Sequence, residues 1–319
     1  MICKLYFRRN LMLRIAAIVL CCGGSTVICA QTLLGRLQKF QKSIPPGNYS
    51  GITSIGNNRY AVVSDKDNTE GFHVFHIEID TLKRRVLTID DEGFRSSGVK
   101  NRDMEGITFQ PFSKTIFISG ETDNEVYECT LDGKRTGRQL QMPQIFKKAR
   151  NNRGLESLTY DCFSRRFFTT TEMPLTGDTV LRIQSFNDDL SPSMQYLYKP
   201  DAPFAKKCIW GVSELCAVGD GSLLVLERQM RIPKLKIGSK ALVRIYRVVP
   251  EGQTILKKYL MAEFTTKLNL TRQNFANFEG MCMVAPGWLL LIADSQNRFK
   301  GILRDWFRLV KIDSSYEQK

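Results

Sequence analysis

The chain has 319 residues, 43% of them hydrophobic and 24% charged, and a formal net charge of +14. That length can bury a large core in one domain. Only two histidines and no CxxC pair among nine cysteines argue against zinc. The basic surface argues no better for nucleic acid, because aromatic residues are not interleaved with the charges and no recognition helix is evident.

Residues 1–30 carry a basic leader (Lys4, Arg8, Arg9, Arg14), an apolar core over 15–22 and small residues before a cut after Ala30. This is the pattern of a secretory signal peptide. The apolar run is far short of the roughly 20 residues a spanning helix needs, so no membrane span is expected once it is removed. Leu20, Cys21 and Ile28 stand before the candidate lipidation cysteines where a small residue would be needed, which disfavours a lipoprotein. The expected destination is the periplasm or the medium. Cys129, Cys162, Cys208, Cys216 and Cys282 remain, an odd number that forbids complete internal pairing. Cys208 and Cys216 either bridge in an oxidising compartment or serve, like the rest, as small buried side chains.

From residue 31 onward the chain reads as short strands separated by turns, in five similar units. The first predicts strands at 52–55, 60–64, 72–79 and 85–89, and the second at 107–110, 116–119, 125–131 and 138–142. The third predicts 158–160, 167–171, 180–186 and 194–198, and the fourth 215–218, 222–226, 241–249 and 257–264. The fifth has 281–284, 288–293 and 306–312 and lacks its last strand. In the later units an acid precedes the first apolar run and a second acid ends the next. The pairs are Glu105 and Glu121, Glu156 and Glu172, Glu214 and Glu227, and Glu279 and Asp294, while the first unit keeps only Asp65. Repeats of about 50 to 65 residues built from short strands indicate an all-β β-propeller with one four-stranded blade per repeat. Five blades are favoured, with six open if the long final repeat hides a degenerate unit. Residues 34–41, LGRLQKFQ, resemble the fourth strands elsewhere and are expected to complete the last blade, leaving no open edge. Residues 228–240 form the longest insertion within a blade, either a solvated surface or a substrate-facing loop.

First strands line the channel of a propeller and run the same way in every blade, so equivalent residues form rings. Glu105, Glu156, Glu214 and Glu279 are therefore expected at one mouth as candidate catalytic carboxylates. Carboxylates this close repel, and either their pKa values rise or a cation joins them. Calcium suits such oxygen donors, and the candidate ligands are these four with Asp65, Glu121, Glu172, Glu227 and Asp294. The alternative is that the acids cap loops by accepting backbone N–H groups. Lys66, Arg102, Arg153, Arg228 and Arg298 crowd the same blade ends and would grip an anionic, oxygen-rich substrate such as a phosphate ester.

The segments DMEGITF, GLESLTY, VSELCAVGDGSLLVLER and NFEGMCMVAPGWLLLIADSQNRF resemble the phytase-like, "esterase-like activity of phytase" family of exported bacterial proteins, over nearly all of the chain after the leader. The most specific stretch holds Glu214, Glu227 and Arg228, joined to the closing EGM and ADSQN. The resemblance implies a β-propeller and suggests calcium-dependent hydrolysis of phosphate esters. The first unit departs from the pattern, with Ser50 in place of the acid. No GxSxG elbow is present, so a serine hydrolase would have to draw its base from His73 or His76. A non-catalytic propeller that binds its ligand around a structural calcium ion is the other reading, since fold alone implies no activity.

Overall fold

The computed structural model describes residues 33–312, apart from 42, 46, 253–254, 272 and 295–304. The leader, Arg272, Arg298 and the tail lie outside the described residues. Five four-stranded antiparallel sheets follow one another along the chain. Blade 1 is β3 (Tyr49–Gly56), β4 (Arg59–Ser64), β5 (Thr69–Asp80) and β6 (Arg85–Lys100). Blade 2 is β7 (Met104–Gln110), β8 (Thr115–Gly120), β9 (Glu125–Cys129) and β10 (Arg135–Gln139). Blade 3 is β11 (Leu155–Asp161), β12 (Arg166–Thr171), β13 (Leu181–Asn187) and β14 (Pro192–Tyr198). Blade 4 is β15 (Ile209–Ala217), β16 (Leu223–Arg231), β17 (Ser239–Val248) and β18 (Lys258–Leu268). Blade 5 is β19 (Asn277–Ala285), β20 (Trp288–Asp294) and β21 (Trp306–Lys311). Its outer strand comes from the other end of the chain, as β1 (Leu33–Leu34) and β2 (Gln38–Lys39). These pair antiparallel with β21, Leu34 opposite Val310 and Gln38 opposite Phe307. The five-bladed ring closed by an early strand is thus the observed fold.

The first strands neighbour one another in the order β3, β7, β11, β15, β19 and back to β3. A separate apolar cluster fills each gap between blades. Leu226, Phe264, Phe278 and Leu291 belong to the one between blades 4 and 5, and Phe117, Leu158 and Phe167 to the one between blades 2 and 3. Middle strands are covered on both faces, which is why runs such as Leu223–Leu226 are apolar throughout instead of alternating. The hairpin after β3 turns on Asn57 and Asn58, both in the left-handed region at φ 54° and 58°, and the last inner hairpin turns on Pro286 and Gly287.

The strands differ from the sequence expectation in several places. β6 runs on to Lys100, well past residue 89, and β16 and β17 take in residues 228–231 and 239–240, so the loop between them is 232–238 and not 228–240. β10 begins three residues before residue 138, because Gly137 with φ 85° lies within an irregularity of the ladder that hides the strand period. First strands begin three to six residues before the expected position, so the first acids lie inside strands and not ahead of them. The cause is a bulge in each inner pair that breaks alternation around the acid.

Candidate functional site

The bulges set which residues are equivalent. Facing pairs before the bulge are Tyr49 and Ser64, Met104 and Gly120, Leu155 and Thr171, Val212 and Glu227, and Phe278 and Ala293. The next residue on each first strand is therefore Ser50, Glu105, Glu156, Ser213 or Glu279. The residue after each second-strand partner is Asp65, Glu121, Glu172, Arg228 or Asp294. Glu214 and Glu227 are out of step with the other acids, each by one place. The fourth unit contributes Ser213 and Arg228 to the mouth, a serine and a cation in the places that blades 2, 3 and 5 give to two acids.

Arg228 is buried, and its guanidinium spans the ring. Nη1 donates to Asn277 Oδ1 at 2.6 Å and to Glu279, and Nη2 donates to Glu156 and Glu172 at 3.0 Å each. Burial alone would depress its pKa, but the carboxylates of Glu279, Glu172 and Glu156 outweigh it and hold the guanidinium firmly charged. Arg153 adds a second cation on Glu172 from the rim. Even so, the acids exceed their partners. Glu105 and Glu156 are 8% and 5% exposed, and desolvation, reinforced by neighbouring carboxylates, pushes both well above the usual range. Glu279 is raised less because Arg228 opposes its burial, and desolvation carries Glu121 up to about 7.

Two groups of three carboxylates come within 4.8 Å of one another, Asp65 with Asp103 and Glu105, and Glu121 with Glu156 and Glu172. The second is already served by Arg228, Arg153 and the Gly154 N–H, which donates to Glu121 at 2.9 Å. The first is less complete. Lys66 Nζ lies 2.5 Å from Asp65 and 3.2 Å from Asp103, and Asn48 also bonds Asp65, yet burial still raises the Asp65 carboxyl above its ordinary range. Asn101 holds this segment in place by donating to the carbonyls of Asp65 and Asp67 at 3.1 and 2.7 Å. Asp103 sits at φ 61°, a conformation Asp tolerates. Three hard carboxylate donors gathered within 4.8 Å of one another fit a calcium ion. Lys66, at 60% side-chain exposure, and Arg153, at 34%, border the open part of this mouth on blades 1 to 3.

The remaining expected residues lie elsewhere. Glu214 is 1% exposed, its Oε1 accepts from Leu215 N at 3.0 Å, and desolvation raises it far above the carboxylate range although the backbone of Leu215, Leu158 and Met281 opposes the shift. It sits one step deeper than the ring, at the place where Gly51, Gly106 and Gly280 let neighbouring strands approach. A Cβ on Gly106 would meet Leu158 N at 2.6 Å. Glu227 faces the blade 3 side, bonded to Tyr198 Oη at 2.5 Å and Lys258 Nζ at 2.7 Å. Arg102 is committed to Glu70 and Asp123 between blades 1 and 2, both at 2.6 Å. Asp294 ends β20 at the ring position and is buried. His73 lies between Asp67 and Asp91, at 3.4 and 3.3 Å, one carboxylate facing each ring nitrogen. The five described cysteines are free thiols. Cys208 and Cys216 cannot bridge, because β15 runs extended between them and separates them by roughly 25 Å.

The positions that sequence reading missed are Ser213 and Asp103. A signal for the first was present. From Ser213 to Arg228 is the same 15-residue step as from Glu279 to Asp294 and from Ser50 to Asp65, whereas Glu214 to Glu227 is shorter.

No curated protein is significantly similar to the chain in sequence. Among solved structures, a streptogramin B lyase is 13% identical, covering 88% of this chain and 98% of its own at a TM-score of 0.42. A nidogen/laminin complex is 9% identical with 86% and 95% covered and a TM-score of 0.43. A structural genomics protein of unknown function from Bacteroides thetaiotaomicron is 9% identical, with 89% and 77% covered and a TM-score of 0.45. Likeness this remote says nothing of chemistry. Residues 44–296 match the phytase-like family model, described as "Esterase-like activity of phytase". The match spans most of the chain, which belongs to the phytase-like family.

Proposed function

We propose that the open part of the mouth, on blades 1 to 3, is a calcium-assisted site for hydrolysing phosphate esters or related anionic esters. The observation that carries this reading is the gathering of three carboxylates, Asp65, Asp103 and Glu105, within 4.8 Å of one another. These three would hold the ion, which when bound supplies charge neutralisation and polarisation of the ester oxygen. Lys66 and Arg153, already cationic at the rim, bind and orient the anionic substrate. Glu121, titrating near 7, is the group able to take or give a proton at neutral pH. The leader-like residues 1–30 support export to the periplasm or medium. A small anionic molecule, not nucleic acid, is the expected partner.

A second reading keeps the ion and drops the chemistry. Arg228 is clamped by four acceptors almost out of reach of solvent, as expected if this end of the channel were a structural lock in a binding module. Calcium titration of the melting temperature, with a panel of phosphate and carboxylic esters in the presence and absence of chelator, separates the two. Calcium-dependent turnover lost in Glu121→Gln supports hydrolysis. Stabilisation by calcium without turnover supports the binding module. A wild type indifferent to calcium refutes both.

A further inference from the structure

Blade 4 carries a surface that the mouth chemistry does not use. The hairpin between β16 and β17 projects through residues 232–238 and ends on Leu235, 86% exposed, and Ile237, 56% exposed. Between them Lys236 adopts φ 65°, and Ile237 N donates to Leu235 O at 2.8 Å, a tight three-residue turn that is costly for a residue with a Cβ. The strained turn holds two aliphatic side chains out in water.

Two further loops adjoin it. Gly238 N donates to Leu268 O at 2.7 Å, which ties in the loop after β18, where Leu270 is 85% exposed. Phe204, on the connection from β14 to β15, donates its N–H to Gln229 Oε1 at 2.8 Å, and Lys240 Nζ lies 5.1 Å from its ring. A small satellite core of Met230, Ala241 and Phe275 anchors the bases of the hairpin and the β18–β19 loop. All three segments either follow a second strand or lead into a first strand, so they stand on the mouth side of the ring.

Their charge is of one sign. Residues 202–211, 229–241 and 265–276 contain no Asp or Glu, while Lys206, Lys207, Arg231, Lys234, Lys240 and Lys267 lie among them. Exposed aliphatic tips within an acid-free cationic field match a bilayer interface with anionic headgroups, where the apolar residues enter the headgroup boundary and the lysines stay at its surface. We infer that the blade 4 hairpin, with the adjoining loops after β14 and β18, docks the protein on an anionic lipid surface and turns the channel mouth toward it. A soluble polyanion would engage the charges but has no use for Leu235, Ile237 and Leu270. A purely apolar partner would leave the lysines idle.

The test uses the full chain with phosphatidylcholine vesicles that contain or lack phosphatidylglycerol. Amide hydrogen exchange gives a local readout that residues 1–30 cannot mimic. Protection is expected over 232–238 and 268–271 on anionic vesicles only, weakening as salt is raised. Leu235→Ser with Ile237→Ser should abolish that protection and weaken vesicle binding relative to the parent chain by roughly tenfold or more. The melting temperature should hold, because both side chains are exposed. Lys234→Gln with Lys240→Gln should remove the preference for anionic vesicles. Absence of local protection would overturn the inference, as would protection that survives the serine variant, or protection without vesicles at concentrations where the chain self-associates.

Discussion

Replacing Arg228 by Met keeps most of its apolar stem while removing the guanidinium from among Glu156, Glu172 and Glu279. Breaking a buried ion pair by deleting one partner costs about 3–5 kcal/mol, because the charge left behind has lost its solvent as well. Three carboxylates are left behind here, but they have an escape. Glu156 and Glu279 are raised by burial and can bind protons once the guanidinium is gone. The full cost is therefore expected at pH 8, as a drop of roughly 6–20 °C in melting temperature for a domain of this size. At pH 5 protonation should recover more than half of it. Calcium should rescue Arg228→Met more than it stabilises the parent, since the variant frees carboxylate oxygens. Arg228→Lys should fall between, as a single ammonium cannot serve four acceptors. Thermal melts by circular dichroism at both pH values, with calcium and with chelator, give the answer. An equal drop at pH 5 and pH 8 would show that packing, and not the carboxylates, accounts for the effect, and would refute the electrostatic reasoning.

Three other outcomes are expected. Asp65, Glu105, Glu121, Glu156 and Glu279 all bind their protons more tightly folded than unfolded, as does His73 between Asp67 and Asp91. The stability they confer is present below the unfolded values, about 4 for the acids and about 6.5 for histidine, and is lost as pH rises through the folded ones, for Glu121 through about 7. The chelated protein should thus melt progressively lower from pH 5 to pH 8, and a rising curve would contradict the assigned shifts. Glu105→Gln should raise the melting temperature at pH 8 in chelator and blunt the calcium response, whereas Glu214→Gln, one place off the ring, should leave the calcium response intact; differential scanning fluorimetry distinguishes them. Phe40 packs against Tyr49, Phe75 and Phe307 beside the closing strand, so Phe40→Ala should cost about 2–3 kcal/mol in urea unfolding.

The sequence carried the blade period because each blade repeats the same short apolar runs and turn residues, and it carried the closing strand because one unit visibly lacked its fourth. What it could not carry was register across a bulge. Glu214 ahead of an apolar run looks like Glu156, and although the 15-residue step from Ser213 to Arg228 points to Ser213, it is the pairing of Val212 with Glu227 that places Ser213 at the mouth. A one-residue slip in an inner strand moves a side chain from the ring to the interior. The role of Arg228 was hidden for the same reason. Beside an acid read as a ring member it looked like a substrate clamp, and in its true place it is the counter-ion of the ring. Arg102 shows a different limit, because its partner Glu70 is 32 residues away in another blade and no local spacing announces it.

The shared fifth blade has a consequence for how the molecule is made. Leu33 and Leu34 meet Lys311 and Val310, so the last sheet is assembled from segments that are synthesised far apart in time. Four blades can form as the chain appears, but the seam waits until β21 arrives. Bringing the two segments together from so far apart adds little to the equilibrium cost, since closure entropy grows only with the logarithm of length, though it makes the joining step slow. During that wait β21 presents an unpaired edge, and the same short strand of a neighbouring chain would fit it equally well. Crowded refolding should therefore yield linked rings that exchange residues 33–39, and dilution should favour the self-closed form.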